Sequence, residues 1–191
     1  MNYKDYTIKI EQDDMAESPR EWDRLGSMIC FHKRYNLGDK HTLHDHDFDD
    51  WNSVAQWFKD NGYAIVIPLY LYDHSGLTIS TTPFSCSWDS GQIGYIAVTR
   101  EDVLKEFGGK YLTSKKAEKA YKALQAEVET YDQFLRGDVW GFIVTNPDGE
   151  EVHSCWGFYG QESCEAEAKD IVDCIIDREE KNCGIQMEMA I

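Results

Sequence analysis

The sequence predicts an α+β fold: a mostly antiparallel sheet of five to seven strands with three or four helices packed on it. Three observations lead there. Apolar runs of strand length recur along the chain, and two pairs of them are joined by turns too short for a crossover helix. Apolar residues spaced three and four apart mark separate helices, the clearest over 114–135 and 162–180. No alternating strand–helix–strand pattern of the nucleotide-binding kind is present. No linker breaks the 191 residues, so a single domain 1–191 is expected, with 1–5 and 184–191 as loose tails.

Tyr6 to Ile10 alternates and reads as an opening strand, followed by an acidic loop from Glu11 to Glu17. Met28 to Phe31 is a short apolar strand. The segment Arg34 to Asp39 is turn chemistry, because Asn36 and Gly38 tolerate unusual backbone angles. Asp47 is the expected N-cap of a helix whose apolar positions are Trp51, Val54, Ala55 and Phe58, stopped by Gly62. Tyr63 to Tyr72 is a strong strand. Pro68 within it lacks an N–H, which calls for an edge position or a bulge. Asp73 to Gly76 turns into a return strand, Leu77 to Ser80.

Asp89, Ser90 and Gly91 then lead into Ile93–Val98, an apolar run without polar alternation. It reads as a central strand buried on both faces. Thr99 opens a short helix closed by Gly108 and Gly109, and Ser114 is the expected cap of the longer one. Val139–Thr145 and Val152–Tyr159 form a hairpin across Asn146-Pro147-Asp148-Gly149, which suits a type I turn. A last helix runs from Glu162 to Glu180.

Nineteen basic residues against 35 acidic ones leave a net charge of −16. Such a field repels nucleic acid and anionic membrane and attracts basic surfaces. Direct nucleic-acid binding is therefore not expected. The longest apolar run, Tyr63 to Tyr72, is far too short to span a membrane as a helix. The opening Met-Asn-Tyr-Lys-Asp-Tyr lacks the apolar core of a secretory signal. Six cysteines without a Cys-x-x-Cys pair read as reduced, mostly buried thiols. A cytoplasmic protein is the expectation.

Three groups of residues carry candidate chemistry. His41, His44, Asp45, His46, Asp47 and Asp49 combine ligand types suited to a divalent ion. Neither the metallo-hydrolase pattern nor a calcium loop is completed there: Phe48 and Asp49 stand where the first needs Asp and His, and Asp50 where the second needs Gly. Helix initiation explains much of the cluster, so no cofactor is expected, with a divalent metal as the alternative. On the last helix, Asp170, Asp173, Asp177 and Glu180 form an acidic ridge opposite the apolar stripe. Their axial spacing of about 4.5–6 Å is comparable to the phosphates of a nucleic-acid strand. Such a ridge suits a basic groove on another protein. Finally, six tryptophans exceed what a core of this size needs, and Trp22 and Trp88 are the candidate exposed contacts. No Gly-x-Ser-x-Gly or phosphate-binding loop is present, so a non-enzymatic role is the leading expectation.

The stretches Ser18-Pro-Arg-Glu-Trp-Asp23, Arg34-Tyr-Asn-Leu-Gly-Asp39 and Trp88-Asp-Ser-Gly-Gln-Ile-Gly-Tyr95 resemble signatures of a family of small acidic accessory proteins encoded by bacteriophages and mobile elements. The resemblance supplies no catalytic residue or cofactor. It implies an inhibitor of a host nucleic-acid-targeting defence system, of the anti-restriction or anti-CRISPR type. Its partner would be the basic surface of a host nucleic-acid-binding complex. A metal-dependent protein centred on His41–Asp49, and a phage structural or assembly factor, are the alternatives.

Overall fold

The structure, a computed structural model, describes residues 1–188, with side chains described to residue 181; the end of the expected loose tail, 189–191, lies outside the described residues. In chain order the elements are β1 (Asn2–Tyr3), β2 (Tyr6–Gln12), β3 (Ser27–Cys30), α1 (Trp51–Asp60), β4 (Tyr63–Asp73), β5 (Leu77–Ser80), β6 (Ser90–Thr99), α2 (Arg100–Phe107), α3 (Ser114–Leu135), β7 (Val139–Thr145), β8 (Glu151–Tyr159) and α4 (Gln161–Glu188). The fold is α+β and every strand pairing is antiparallel. The strands divide into two four-stranded sheets, β1-β2-β7-β8 and β3-β6-β4-β5. The chain correspondingly forms two compact units, Met1–Glu17 with Gly137–Ile191, and Ser18–Arg136.

In the Ser18–Arg136 unit, β6 lies between β3 and β4, as its double-sided apolar run requires. Ile96 and Val98 point into a core with Leu124 and Val128 of α3 and Val103 of α2. Tyr95 and Ala97 point the other way, onto Val54 and Phe58 of α1. Burying a side chain such as Ile96 contributes about 1.5–3 kcal/mol. Pro68 pairs with Tyr95 on one side, while β5 reaches only Tyr70–Asp73 on the other. Pro68 therefore sits where β4 is locally an edge, next to a register shift at Leu69/Tyr70.

Two helix starts differ from expectation. Asp50, not Asp47, caps α1: its side chain accepts from Ser53 N at 2.8 Å. That backbone bond, ahead of the other contacts, holds the Asp50 carboxyl below its ordinary value. Asp47 closes the preceding 3-10 turn, accepting from His44 N at 2.8 Å. Thr113, with extended backbone, caps α3 in place of Ser114, which is already helical.

In the other unit, β2 pairs with β7 from Thr7↔Thr145 to Gln12↔Trp140, and β7 pairs with β8 in the expected hairpin. The expected loose start instead contributes β1, with Asn2 opposite Thr7. Ile8, Phe142 and Val144 form one face of this sheet and bury Cys164, Ala168 and Val172 of α4.

The thiols are more divided than the sequence suggested. Cys30 and Cys164 are buried, Cys86 is half-buried, and Cys155 and Cys174 are exposed because they lie on an edge strand and on the outer side of α4. Burial pushes the Cys30 thiol up to about 12 and, with neighbouring Cys155 and Glu165, the Cys164 thiol up to about 11. Only the thiolate reacts. Near pH 8, a disulfide reagent followed by peptide mapping is expected to modify Cys155 and Cys174 at once, and Cys30 and Cys164 only after denaturation.

Candidate functional site

The stretches 18–23 and 34–39 meet at a buried charge cluster. Ser18 caps a 3-10 turn over Pro19–Glu21, and that turn delivers Arg20 inward, 5% exposed. Its Nε and Nη2 donate to the two oxygens of Asp39, both at 2.9 Å. Nη1 donates to Glu127 Oε2 of α3 at 2.8 Å, and Nη2 also donates to Gly26 O at 2.7 Å. Burial lowers the guanidinium's proton affinity. The hydrogen bonds and charges of Asp39 and Glu127 outweigh that and raise it above its ordinary value. The carboxylates bind backbone too: Asp39 accepts from Met28 N at 2.8 Å, and Glu127 Oε1 from Leu25 N at 2.7 Å and Gly26 N at 3.1 Å. One cluster thus ties the 19–27 loop, the 34–39 turn, β3 and α3 together. Sequence reasoning missed it, although Arg20 and Asp39 stand in two of the three stretches singled out there.

An open groove of about 1240 Å³ borders this cluster, with Phe31, Leu37, His41, Phe48, Trp51 and Phe134 in its walls. His41 is fastened to its wall: Nε2 lies 2.9 Å from Cys30 O and Nδ1 3.1 Å from Leu43 O. Its ring nitrogens are thus both occupied by backbone carbonyls. His44 and His46 stack on each other, 5.1 Å between centroids. Asp45 and Asp47 flank His46 at 3.6 and 3.7 Å. The structure brings His44 and His46 together but turns His41 away from them. Among the described residues, no group of three or more His, Cys, Asp or Glu side chains is placed to hold a metal ion. With its thiol pushed up to about 12, Cys30 is not a poised nucleophile for the neighbouring histidine.

The ridge on α4 is present, with an internal distinction. Asp170, Asp177 and Glu180 are exposed. Asp173 is engaged by Lys4 Nζ at 3.0 Å and by Tyr3 OH at 3.2 Å. Asp173 raises the proton affinity of that lysine, first by its hydrogen bond and then by its charge. Glu179 accepts from Tyr6 OH at 3.2 Å. The charge is also unevenly divided. The Met1–Glu17/Gly137–Ile191 unit holds eighteen acidic residues against five basic ones (Lys4, Lys9, Lys169, Arg178 and Lys181), which is −13 of the chain's −16.

Of the two candidate aromatic contacts, Trp22 is 44% exposed and Trp88 is 95% exposed. Trp51, Trp57 and Trp140 are partly buried and belong to the cores. No described helix is long and apolar enough to cross a membrane. No protein-family model, curated protein or solved structure matches the chain.

Proposed function

We propose that the protein is a non-enzymatic inhibitor that occupies a basic, nucleic-acid-binding surface of a host defence complex, with the acidic face of α4 in the place of a nucleic-acid backbone. The observation that carries this reading is the concentration of −13 in one unit, whose long helix exposes Asp170, Asp177 and Glu180 on one side. An excess of acidic over basic charge along one helix face, where Lys181 stands among the carboxylates, steers association with a cationic groove and makes it salt-sensitive. The phage-type signatures support a defence complex as the source of that groove.

Capture from host lysate identifies the partner, and binding rates then test the charge. Exchanging Asp170 and Asp177 for Asn and Glu180 for Gln is expected to slow association about tenfold or more and to flatten its salt dependence. Asp173→Asn is expected to have a smaller effect, because Lys4 already neutralises that carboxylate. An unchanged rate in the triple variant overturns the mimicry.

A further inference from the structure

Trp88 is an expensive residue to leave in water. A tryptophan buries on the order of 150–250 Å² when it packs, and nearly all of that surface is presented to solvent here. The loop does not let it fold away. Ser90 Oγ donates to Cys86 O, closing the turn around Trp88. Asp73 N donates to Asp89 O at 2.8 Å, pinning the turn to the end of β4. Phe84, earlier in the loop, packs on Tyr72 at 5.6 Å between centroids. Trp88 itself has no hydrogen-bond or ring partner among the described residues, so both faces of its indole are open.

Beside it lies an open slot of about 350 Å³ lined by Trp88 and Asp89, with the core residues Leu71 and Ile93, 3% and 5% exposed, beneath it. Arg34 and Asp73 also line it, but they pair with each other and offset one another's charge. Asp89 is half-exposed, with His74 Nδ1 at 3.2 Å from Oδ2. Its Oδ1 has no partner among the described residues. An open indole face beside a half-exposed carboxylate matches an arginine side chain: the planar guanidinium stacks on Trp88 while donating to Asp89.

We propose that the Trp88 turn is a docking anchor that takes an arginine side chain of a basic protein partner into this slot. The Ser18–Arg136 unit that carries the slot has 17 acidic against 14 basic residues, a net of only −3, so the cationic preference rests on the Asp89 carboxylate beside the indole. The inference shares with the acidic-helix reading only that cationic character, and it rests on different residues in the other unit.

The probe is an oligo-arginine peptide at about 0.15 M salt, with oligo-lysine and oligo-glutamate of equal length beside it. The expected result is a change in tryptophan emission that is absent from Trp88→Phe. Affinity for oligo-arginine is expected to fall about tenfold in Trp88→Ala and severalfold in Asp89→Asn, with weaker binding of oligo-lysine to the native protein. The triple Asp170/Asp177/Glu180 variant is expected to keep the Trp88 emission change. Equal affinity of Trp88→Ala and the native protein overturns the proposal, as does equal binding of oligo-lysine. Loss of binding in the triple variant alone overturns it while leaving the acidic-helix reading standing. Loss in Trp88→Ala alone supports the proposal and leaves the acidic-helix reading to its own test with the captured partner.

Discussion

Asp39→Ala is expected to destabilise the Ser18–Arg136 unit by about 3–5 kcal/mol, the range for stranding one member of a buried ion pair. Arg20 is 5% exposed and donates two of its hydrogen bonds to this one carboxylate. Without it the guanidinium keeps Glu127 but loses its bidentate partner, and Met28 N loses its acceptor. Arg24, whose Nε stands 3.2 Å from Asp39, loses its partner as well. Asp39→Asn preserves the shape and removes the charge, so it is expected to recover only part of the loss. Asp23, exposed and in the same stretch as Arg20, is the control. Asp23→Asn is expected to stay within about 0.5 kcal/mol of the native protein. Denaturant unfolding measures all three, and an Asp39→Ala midpoint equal to that of Asp23→Asn would refute the role of the cluster.

Gly94→Ala is the second large effect. Gly94 lies in the central strand opposite Cys30 of β3. A Cβ there would collide with Ile29 O and stand 2.9 Å from Cys30 Cα. Those are backbone atoms of a paired strand, so no side chain can swing aside. The strands must separate, at a cost at or above the top of the roughly 1–3 kcal/mol range for overpacking. Gly91, three residues earlier in β6, has nothing within 4 Å of such a Cβ. Gly91→Ala is expected to be neutral or stabilising by up to about 1 kcal/mol, since it restricts the unfolded chain. A Gly94→Ala variant as stable as Gly91→Ala would show that β3 and β6 do not approach this closely.

These two positions show where sequence reading reaches and where it stops. Ile93–Val98 announces a central strand because an apolar run without alternation needs cover on both faces, and β6 has that cover. Asn146–Gly149 announces its hairpin because the turn chemistry is local; Gly149 N donates to Asn146 O at 3.0 Å. Pairing between distant strands leaves no local trace, so the division into two sheets was not legible. Arg20 was not legible either, since a buried arginine looks in sequence like any solvated one. Aspartates at 45, 47, 49 and 50 offered competing helix caps, and only the backbone geometry selects Asp50. The acidic ridge was legible from helical spacing alone. That Lys4 and Tyr3 take up Asp173 depends on a pairing between β1 and α4 that periodicity does not encode.

The pairing of β2 with β7 has a consequence for the order of events during synthesis. Thr7 is made early but its partner Thr145 is made late. At roughly 5–20 residues per second, β2 leaves the ribosome on the order of ten seconds before β7 exists. Ser18–Arg136 is complete in that interval and holds its own core and charge cluster. It is free to fold first, while the apolar face of β2, with Tyr6 and Ile8, waits unpaired. Until β7 is made, only β1 pairs with β2, and Lys9 and Glu11 within β2 are expected to discourage pairing of its open edge with a neighbour.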